Sequence, residues 1–264
     1  MTQTSLDAIL SATRERVAAM RPRARELERA AAEAPAPRPF GPGLRGAAVG
    51  VIAEVKRRSP SVGAIREDLE PVRHAQAYER GGAVAVSVLT DALHFGGSLD
   101  DLARVARGVS LPVLRKDFIL DELQLDEARA AGASAVLLIV RALRADALGA
   151  LARAARDRGL GILVEVHSDT ELDRALAVDP TAVGVNSRDL ATFAVDLAFA
   201  EGLVTRVPAG VPAVAESGIE TRADVERMAA AGADVVLVGT SVARDSDPAA
   251  AVRALVGVTR KGRS

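Results

Sequence analysis

The chain contains no cysteine and no tryptophan, and its aromatic side chains are one Tyr and five Phe in 264 residues. Without cysteine there is no disulfide, no thiolate metal site and no Cys nucleophile, a composition that suits a reducing compartment. The three histidines, His74, His94 and His167, are scattered without metal-ligand spacing, so no metal is expected. Charge of one sign is also missing: 34 Lys and Arg offset 35 Asp and Glu, for a formal net charge of −1. That balance leaves no footprint for nucleic acid or for an acidic membrane surface. No apolar run reaches the roughly 18 residues of a membrane span, and no signal-peptide core follows the N-terminus. The expectation is a soluble cytoplasmic protein, favoured as a monomer, with 49% hydrophobic residues to build its core.

Short apolar runs are present in number. Eight occur, at 49–55, 84–89, 112–115, 135–140, 161–166, 182–186, 212–215 and 235–239, mostly 20–35 residues apart. Ala-rich amphipathic segments lie between them, at 100–108, 121–132, 145–159, 168–178 and 221–232. This spacing is that of a strand–loop–helix–loop unit. The pairs Gly82-Ala83, Gly132-Ala133 and Gly232-Ala233 each precede a run, as an internal repeat of the unit would. Alternating strands and helices imply a parallel sheet. Eight units fit a closed α/β barrel, the (β/α)8 TIM fold, and no G-x-G-x-x-G follows Val55 to indicate an open nucleotide-binding sheet. Residues 1–264 therefore read as one barrel domain with 1–45 as a helical extension and linker. In that extension Leu6, Ile9, Leu10, Thr13, Val17 and Met20 share a helical face, Pro22 interrupts, and four prolines from Pro35 to Pro42 form the linker. The extra helix either caps the barrel or covers part of its mouth.

Charges close these apolar runs repeatedly. Side chains alternate along a strand, so Ile52, Glu54 and Lys56 share a face, as do Leu114, Lys116 and Phe118, and Leu163 and Glu165. Glu216 and Asn186 end two further runs. Inward charges at strand ends are costly unless paired or used, and barrel enzymes carry their chemistry at the C-terminal strand ends. Lys116, desolvated and near other cations, is expected to have a lowered pKa and to serve as a general acid at a carbonyl oxygen. Glu165 can accept or return a proton in a second step, while Glu54 and Glu216 orient Lys56 and Lys116. A structural ion pair inside the barrel is the plain alternative for each. Asn186 can hold a hydroxyl and Arg188 a carboxylate, against a simple salt bridge of Arg188 with Asp189 or a nearby loop.

Phosphate is the expected anchor. Glu216-Ser217-Gly218 and Gly239-Thr240-Ser241 place glycine and hydroxyls after the last two runs, where barrels often bind phosphate. Ser59 and Ser61 can close over it, and Lys56 supplies countercharge. Gly and Ser are also ordinary turn residues. Phe95 and Phe118 beside the mouth point to an aromatic substrate, with Leu137 either lining or plain core.

Taken together, these segments resemble the indole-3-glycerol-phosphate synthase family. The resemblance rests on the runs Ile52–Ser61, Ser87–Asp91, Phe95–Ser98, Leu111–Phe118, Leu163–His167, Gly184–Leu190 and Ala215–Ile219, and covers essentially the whole chain. It implies decarboxylating ring closure and dehydration of 1-(2-carboxyphenylamino)-1-deoxyribulose 5-phosphate, in tryptophan biosynthesis, with no cofactor. Lys116 would be the general acid, Glu165 the acid/base of dehydration, and Lys56 the contact to the substrate carboxylate. Glu54, Asn186 and Glu216 would orient these groups, and Arg188 would add positive charge. Ser59, Ser217, Gly218, Gly239 and Thr240 would hold phosphate, and Phe95, Phe118 and Leu137 the ring. Ser187, Leu123 and the Gly-Thr-Ser ending depart from the family's commoner residues without removing a proton-transfer group. Two rival readings are a phosphoribosylanthranilate isomerase-like barrel, whose resemblance calls for an absent Cys base, and a non-catalytic binding paralogue.

Overall fold

A computed structural model describes residues 5–189 and 192–263. Leu190, the last residue of one motif above, lies outside the described residues. The eight apolar runs form parallel strands β1 (Gly50–Val55), β2 (Ala85–Leu89), β3 (Val113–Lys116), β4 (Ala135–Ile139), β5 (Gly161–Val166), β6 (Ala182–Asn186), β7 (Ala213–Glu216) and β8 (Val235–Val238). They pair in chain order and close, β8 on β1, as a (β/α)8 TIM barrel. Registers such as Val236 beside Val51 and Leu163 beside Ala182 fix which residues face inward.

Strand parity divides the apolar residues into two cores. Inward residues Ile52, Leu114, Leu137, Leu163, Val214 and Leu237 fill the barrel. Outward residues Val51, Val86, Val136, Val164 and Val236 meet the helices. Both faces of every strand are therefore buried, which is why the runs read as continuous apolar stretches rather than alternating ones.

The extension is helix α1 (Leu6–Met20), a 3-10 turn at Arg21–Arg23 and helix α2 (Ala24–Glu33). Pro22 lies in that turn, so it marks a break between two helices. Ile9 and Leu10 of α1 share an apolar cluster with Phe118 at the end of β3. The linker then brings Phe40 and Leu44 into the interior cluster, with Phe40 packed over Gly161 at the start of β5. The one chain segment thus touches the mouth through α1 and plugs the opposite end through Phe40.

The surrounding helices are α3 (Pro71–Gly81), α4 (Ala92–Phe95), α5 (Leu99–Gly108), α6 (Glu122–Ala130), α7 (Ala145–Asp157), α8 (Asp169–Leu176), α9 (Leu197–Val204), α10 (Arg222–Ala230), α11 (Thr240–Arg244) and α12 (Pro248–Leu255). Asp121, Ser168 and Thr221 stand just outside their helices as N-caps, each accepting from a backbone N–H of the first turn. Gly82, Gly132 and Gly232 follow α3, α6 and α10 at φ of 96°, 85° and 94°. This left-handed stop, which glycine adopts without penalty, is what the repeated Gly-Ala pairs encode.

Candidate active site

The fifteen candidate residues line one cleft at the C-terminal ends of the strands. Its floor is charged. Lys56 Nζ lies 2.7 Å from Glu54 Oε1 at the end of β1. Lys116 Nζ lies 3.5 Å from a carboxyl oxygen of Glu165 and 3.5 Å from one of Glu216. Lys116 therefore joins β3 to β5 and β7 across the barrel.

Burial and charge divide the acids. Burial raises the Glu54 carboxyl, but Lys56 and Lys116 outweigh it and hold the group below its ordinary value. Burial likewise opposes ionisation of Glu165, and Lys116 and His167 outweigh it, so this carboxyl also sits low. Glu216 goes the other way. Burial, reinforced by the charges of Glu165 and Glu54, exceeds the pull of Lys116 and lifts it to about 8. At neutral pH the site thus holds an ionised Glu165 and a protonated Glu216 on either side of one ammonium.

Lys116 departs from the sequence expectation. Desolvation does press its pKa down, but Glu216, Glu165 and Glu54 outweigh that and raise it above the ordinary lysine value. The groups around Nζ are carboxyls, not the cations anticipated. Lys116 is thus held as a loaded ammonium.

Residues next to the inward lysine hold its strand end from outside. Arg115 donates to Thr90 Oγ1 (3.1 Å), Asp117 Oδ2 (3.0 Å), Glu127 Oε2 (2.7 Å) and the Gln124 carbonyl (2.8 Å). Asp117 also accepts from Arg16 of α1 at 2.7 Å. The N-terminal helix is thereby ionically fastened to the residue after Lys116.

Phe95 and Phe118 lie on the apolar side of the cleft, their rings 6.5 Å apart and tilted by 37°. Leu137 faces the same cleft while only 2% exposed, so lining and core packing are one role here. Opposite lie the two glycine–hydroxyl loops. Ser217 and Gly218 both take positive φ, 67° and 70°, and a β-carbon at Gly218 would collide with Val195. A β-carbon at Gly239 would come within 2.6 Å of Glu54 Oε1 and 2.8 Å of Lys56 Nζ. Both loops must approach this closely, and only glycine permits it.

Asn186 Oδ1 accepts the Arg188 backbone N–H at 3.0 Å. Arg188 itself donates to the Phe193 carbonyl at 3.0 Å, and Asp189 lies 3.6 Å from Arg141, so of the two plain alternatives for Arg188 the loop contact is the one formed. Ser187 donates to the carbonyls of Glu216 and Ser217, which ties the β6 loop to the β7 loop.

Phe193 and Asp91 are among the lining residues that escaped sequence reading. Phe193 stands in an irregular loop at φ 58°, with no periodicity to signal it. Asp91 lines the cleft, caps α4 and lies 3.1 Å from His94 Nδ1. His167 belongs with the site too. Its Nε2 is 3.4 Å from Glu165 Oε1. The signal was its parity with Glu165, overlooked because the histidines were weighed only as metal ligands. Among the described residues no cluster suits a metal ion, and no helix is long and apolar enough to cross a membrane.

A closed parallel barrel whose mouth carries a loaded lysine, an ionised and a protonated carboxyl, and two close-approach loops defines a (β/α)8 acid–base enzyme. Known proteins agree. The profile of the family described as Indole-3-glycerol phosphate synthase matches residues 6–255. Proteins named indole-3-glycerol phosphate synthase from Mycobacterium leprae (strain Br4923) and Mycobacterium avium (strain 104) are 47% and 46% identical over 255 residues, covering 96% of this chain and 94% of each relative. The chain belongs to the indole-3-glycerol phosphate synthase family. Among solved structures, thiamine phosphate pyrophosphorylase from Pyrococcus furiosus superposes with a TM-score of 0.59 at 18% identity, over 78% of this chain and 93% of that one, a likeness of fold alone.

Proposed function

We propose that this chain closes the indole ring, converting 1-(2-carboxyphenylamino)-1-deoxyribulose 5-phosphate to indole-3-glycerol phosphate, CO₂ and water. The observation that carries the reading is Lys116 Nζ held 3.5 Å from the Glu165 carboxyl and 3.5 Å from the Glu216 carboxyl beneath an aromatic wall. Ring closure needs a proton at the substrate carbonyl oxygen as the carbon–carbon bond forms, and Lys116 gives it. The carboxylate then leaves as CO₂, returning its electron pair to the ring. Dehydration expels the new hydroxyl as water and removes a proton from the adjacent carbon, which is the work of Glu165.

Lys56 meets the substrate carboxylate and Arg188 adds positive charge. Phe95, Phe118 and Leu137 enclose the anthranilate ring. Ser59, Ser217, Gly218, Gly239 and Thr240 hold the phosphate, through backbone N–H groups and hydroxyls. Asn186 uses its carbonyl oxygen on the loop and its amide on Glu165, which leaves it to present a remaining amide N–H to a substrate hydroxyl. Glu54 fixes Lys56, and protonated Glu216 donates within the site. The chemistry asks for no cofactor. We place it in the cytoplasm, in tryptophan biosynthesis, carried out by one domain acting as a monomer. A Cys-dependent isomerase reading has no residue to rest on.

The deciding experiment adds the ribulose substrate to purified protein and follows indole fluorescence. Growth of the signal with stoichiometric CO₂ is expected. A protein that binds the substrate but gives neither product would overturn the assignment.

A further inference from the structure

His167 follows β5 directly and is buried, its side chain 3% exposed. Its two ring nitrogens face two different carboxyls. Nε2 lies 3.4 Å from Glu165 Oε1 on the barrel side, and Nδ1 lies 3.5 Å from Glu171 Oε2 on the helix side. Both contacts are long, and neither ring nitrogen makes a close, well-aligned hydrogen bond. Buried ring nitrogens are normally satisfied, so a ring left open at both ends and flanked by acids calls for an explanation.

Glu171, in the first turn of α8, is fixed on the far side. It accepts the His167 backbone N–H at 2.7 Å and Arg141 Nε at 3.0 Å. Burial opposes its ionisation, but the bonds from His167 and Arg141 outweigh that and bring it down to about 2. It stays a carboxylate and orients the ring. Arg141, in the turn after β4, is 31% exposed and reaches Asp189 at 3.6 Å. Glu165, His167, Glu171 and Arg141 therefore lie in file from the barrel interior to the outer rim, with contacts of 3.4 Å and 3.5 Å on the two sides of the ring.

The proposed reaction, on which this inference rests, needs such a file. Per turnover the carbonyl oxygen gains one proton and the departing hydroxyl gains another. The carbon beside it returns one. One proton must therefore enter from solvent, matching the carboxylate charge that disappears as CO₂. The substrate itself fills the mouth.

We propose that His167 is the proton relay of this site, taking a proton at Nδ1 from solvent water at the Arg141–Glu171 edge and giving up the one it already carries on Nε2 to Glu165. From Glu165 Oε2 the proton reaches Lys116 Nζ, 3.5 Å further. The two nitrogens already face the two sides for the transfer itself; it leaves the proton on Nδ1 and Nε2 bare, and a half-turn of the ring restores the starting tautomer before the next turnover.

The test uses full-length wild type, His167→Gln, His167→Ala and Glu171→Gln, with indole fluorescence and steady-state kinetics. His167→Gln keeps the volume and polarity but cannot relay. It is expected to lower kcat by about tenfold to a hundredfold, toward the lower end of general acid–base effects, with KM changed less than about twofold. Its solvent deuterium isotope effect on kcat should rise. His167→Ala should regain turnover on adding imidazole, saturably. A merely structural histidine would give neither signature. If His167→Gln does not fold, Glu171→Gln breaks the file at its outer end and should show the same kcat loss and isotope effect. Unchanged kcat in the folded variants, or a loss that imidazole does not relieve, overturns the relay alone. Wild type that forms no indole overturns the activity and the relay together.

Discussion

Gly184 and Glu216 share one space: a β-carbon on Gly184 of β6 would collide with Glu216 Oε1 of β7. The strands pair so that the Glu216 side chain lies over the bare backbone of its neighbour, with Asn186 beside Glu216 in register. The obstacle to a larger residue is the end of a flexible side chain rather than backbone. Gly184→Ala should therefore fold, losing about 1–3 kcal/mol to overpacking. It should also swing Glu216 away from Lys116. Turnover is expected to drop by about tenfold or more, a small share of what an acid–base group supplies. Wild-type kcat in Gly184→Ala would show that the position of Glu216 is immaterial.

Lys116→Ala should abolish ring closure while leaving the circular dichroism spectrum unchanged. Glu216 already carries its proton near neutrality, Glu54 keeps Lys56 as its countercharge, and Glu165, which loses its own, can take up a proton instead. General acid catalysis is worth about 10²–10⁴ in rate. A purified variant turning over within about threefold of wild type, far less than that range, would exclude Lys116 as the acid.

Glu165→Gln separates the two chemical steps. Lys116 stands on the third strand and Glu165 on the fifth, so they reach the substrate from different sides of the barrel. Overall turnover should fall by roughly 10²–10⁴-fold. Condensation should survive better than dehydration, so rapid quench is expected to find CO₂ ahead of indole. If both slowed equally with no intermediate, one group would be serving both steps.

Glu216 makes stability depend on pH. Its carboxyl titrates at about 8 in the fold, against an ordinary value of 4.5 in the unfolded chain. Between those values the unfolded chain has released the proton and the fold has kept it, so stability falls as pH rises. The contribution is fully present below the lower value and is lost by the upper one. Glu216→Gln removes this slope. Its Tm should decline less than that of wild type between about pH 5 and about pH 9. Parallel Tm profiles would mean that Glu216 is ionised in the folded protein.

Local chemistry made the strands and several helix starts legible. Inward–outward alternation needs only the period of two, so Glu54, Lys116 and Glu165 were assigned their faces from neighbours in sequence. The segments read from Asp121, Ser168 and Thr221 begin at the residues that cap their helices, because a cap is a contact between residues two or three apart. The repeated Gly-Ala stops likewise follow from backbone freedom at one residue. The barrel itself was legible from eight repeats of one spacing.

The ionisation pattern was decided only by closure of the barrel. Glu165 and Glu216 are 3.5 Å from Lys116 because strands three, five and seven converge, and no local rule states that distance. It made the lysine a held ammonium where the sequence suggested a weakened one, and gave two identical residues opposite charge states. Phe193 entered the cleft through an aperiodic loop, and His167 joined the site through a contact with α8. The sequence by itself determined which residues face the interior, because facing is a property of the local backbone. The tertiary structure decided their charges and partners, because those depend on burial and on distances between strands that sequence separation does not set.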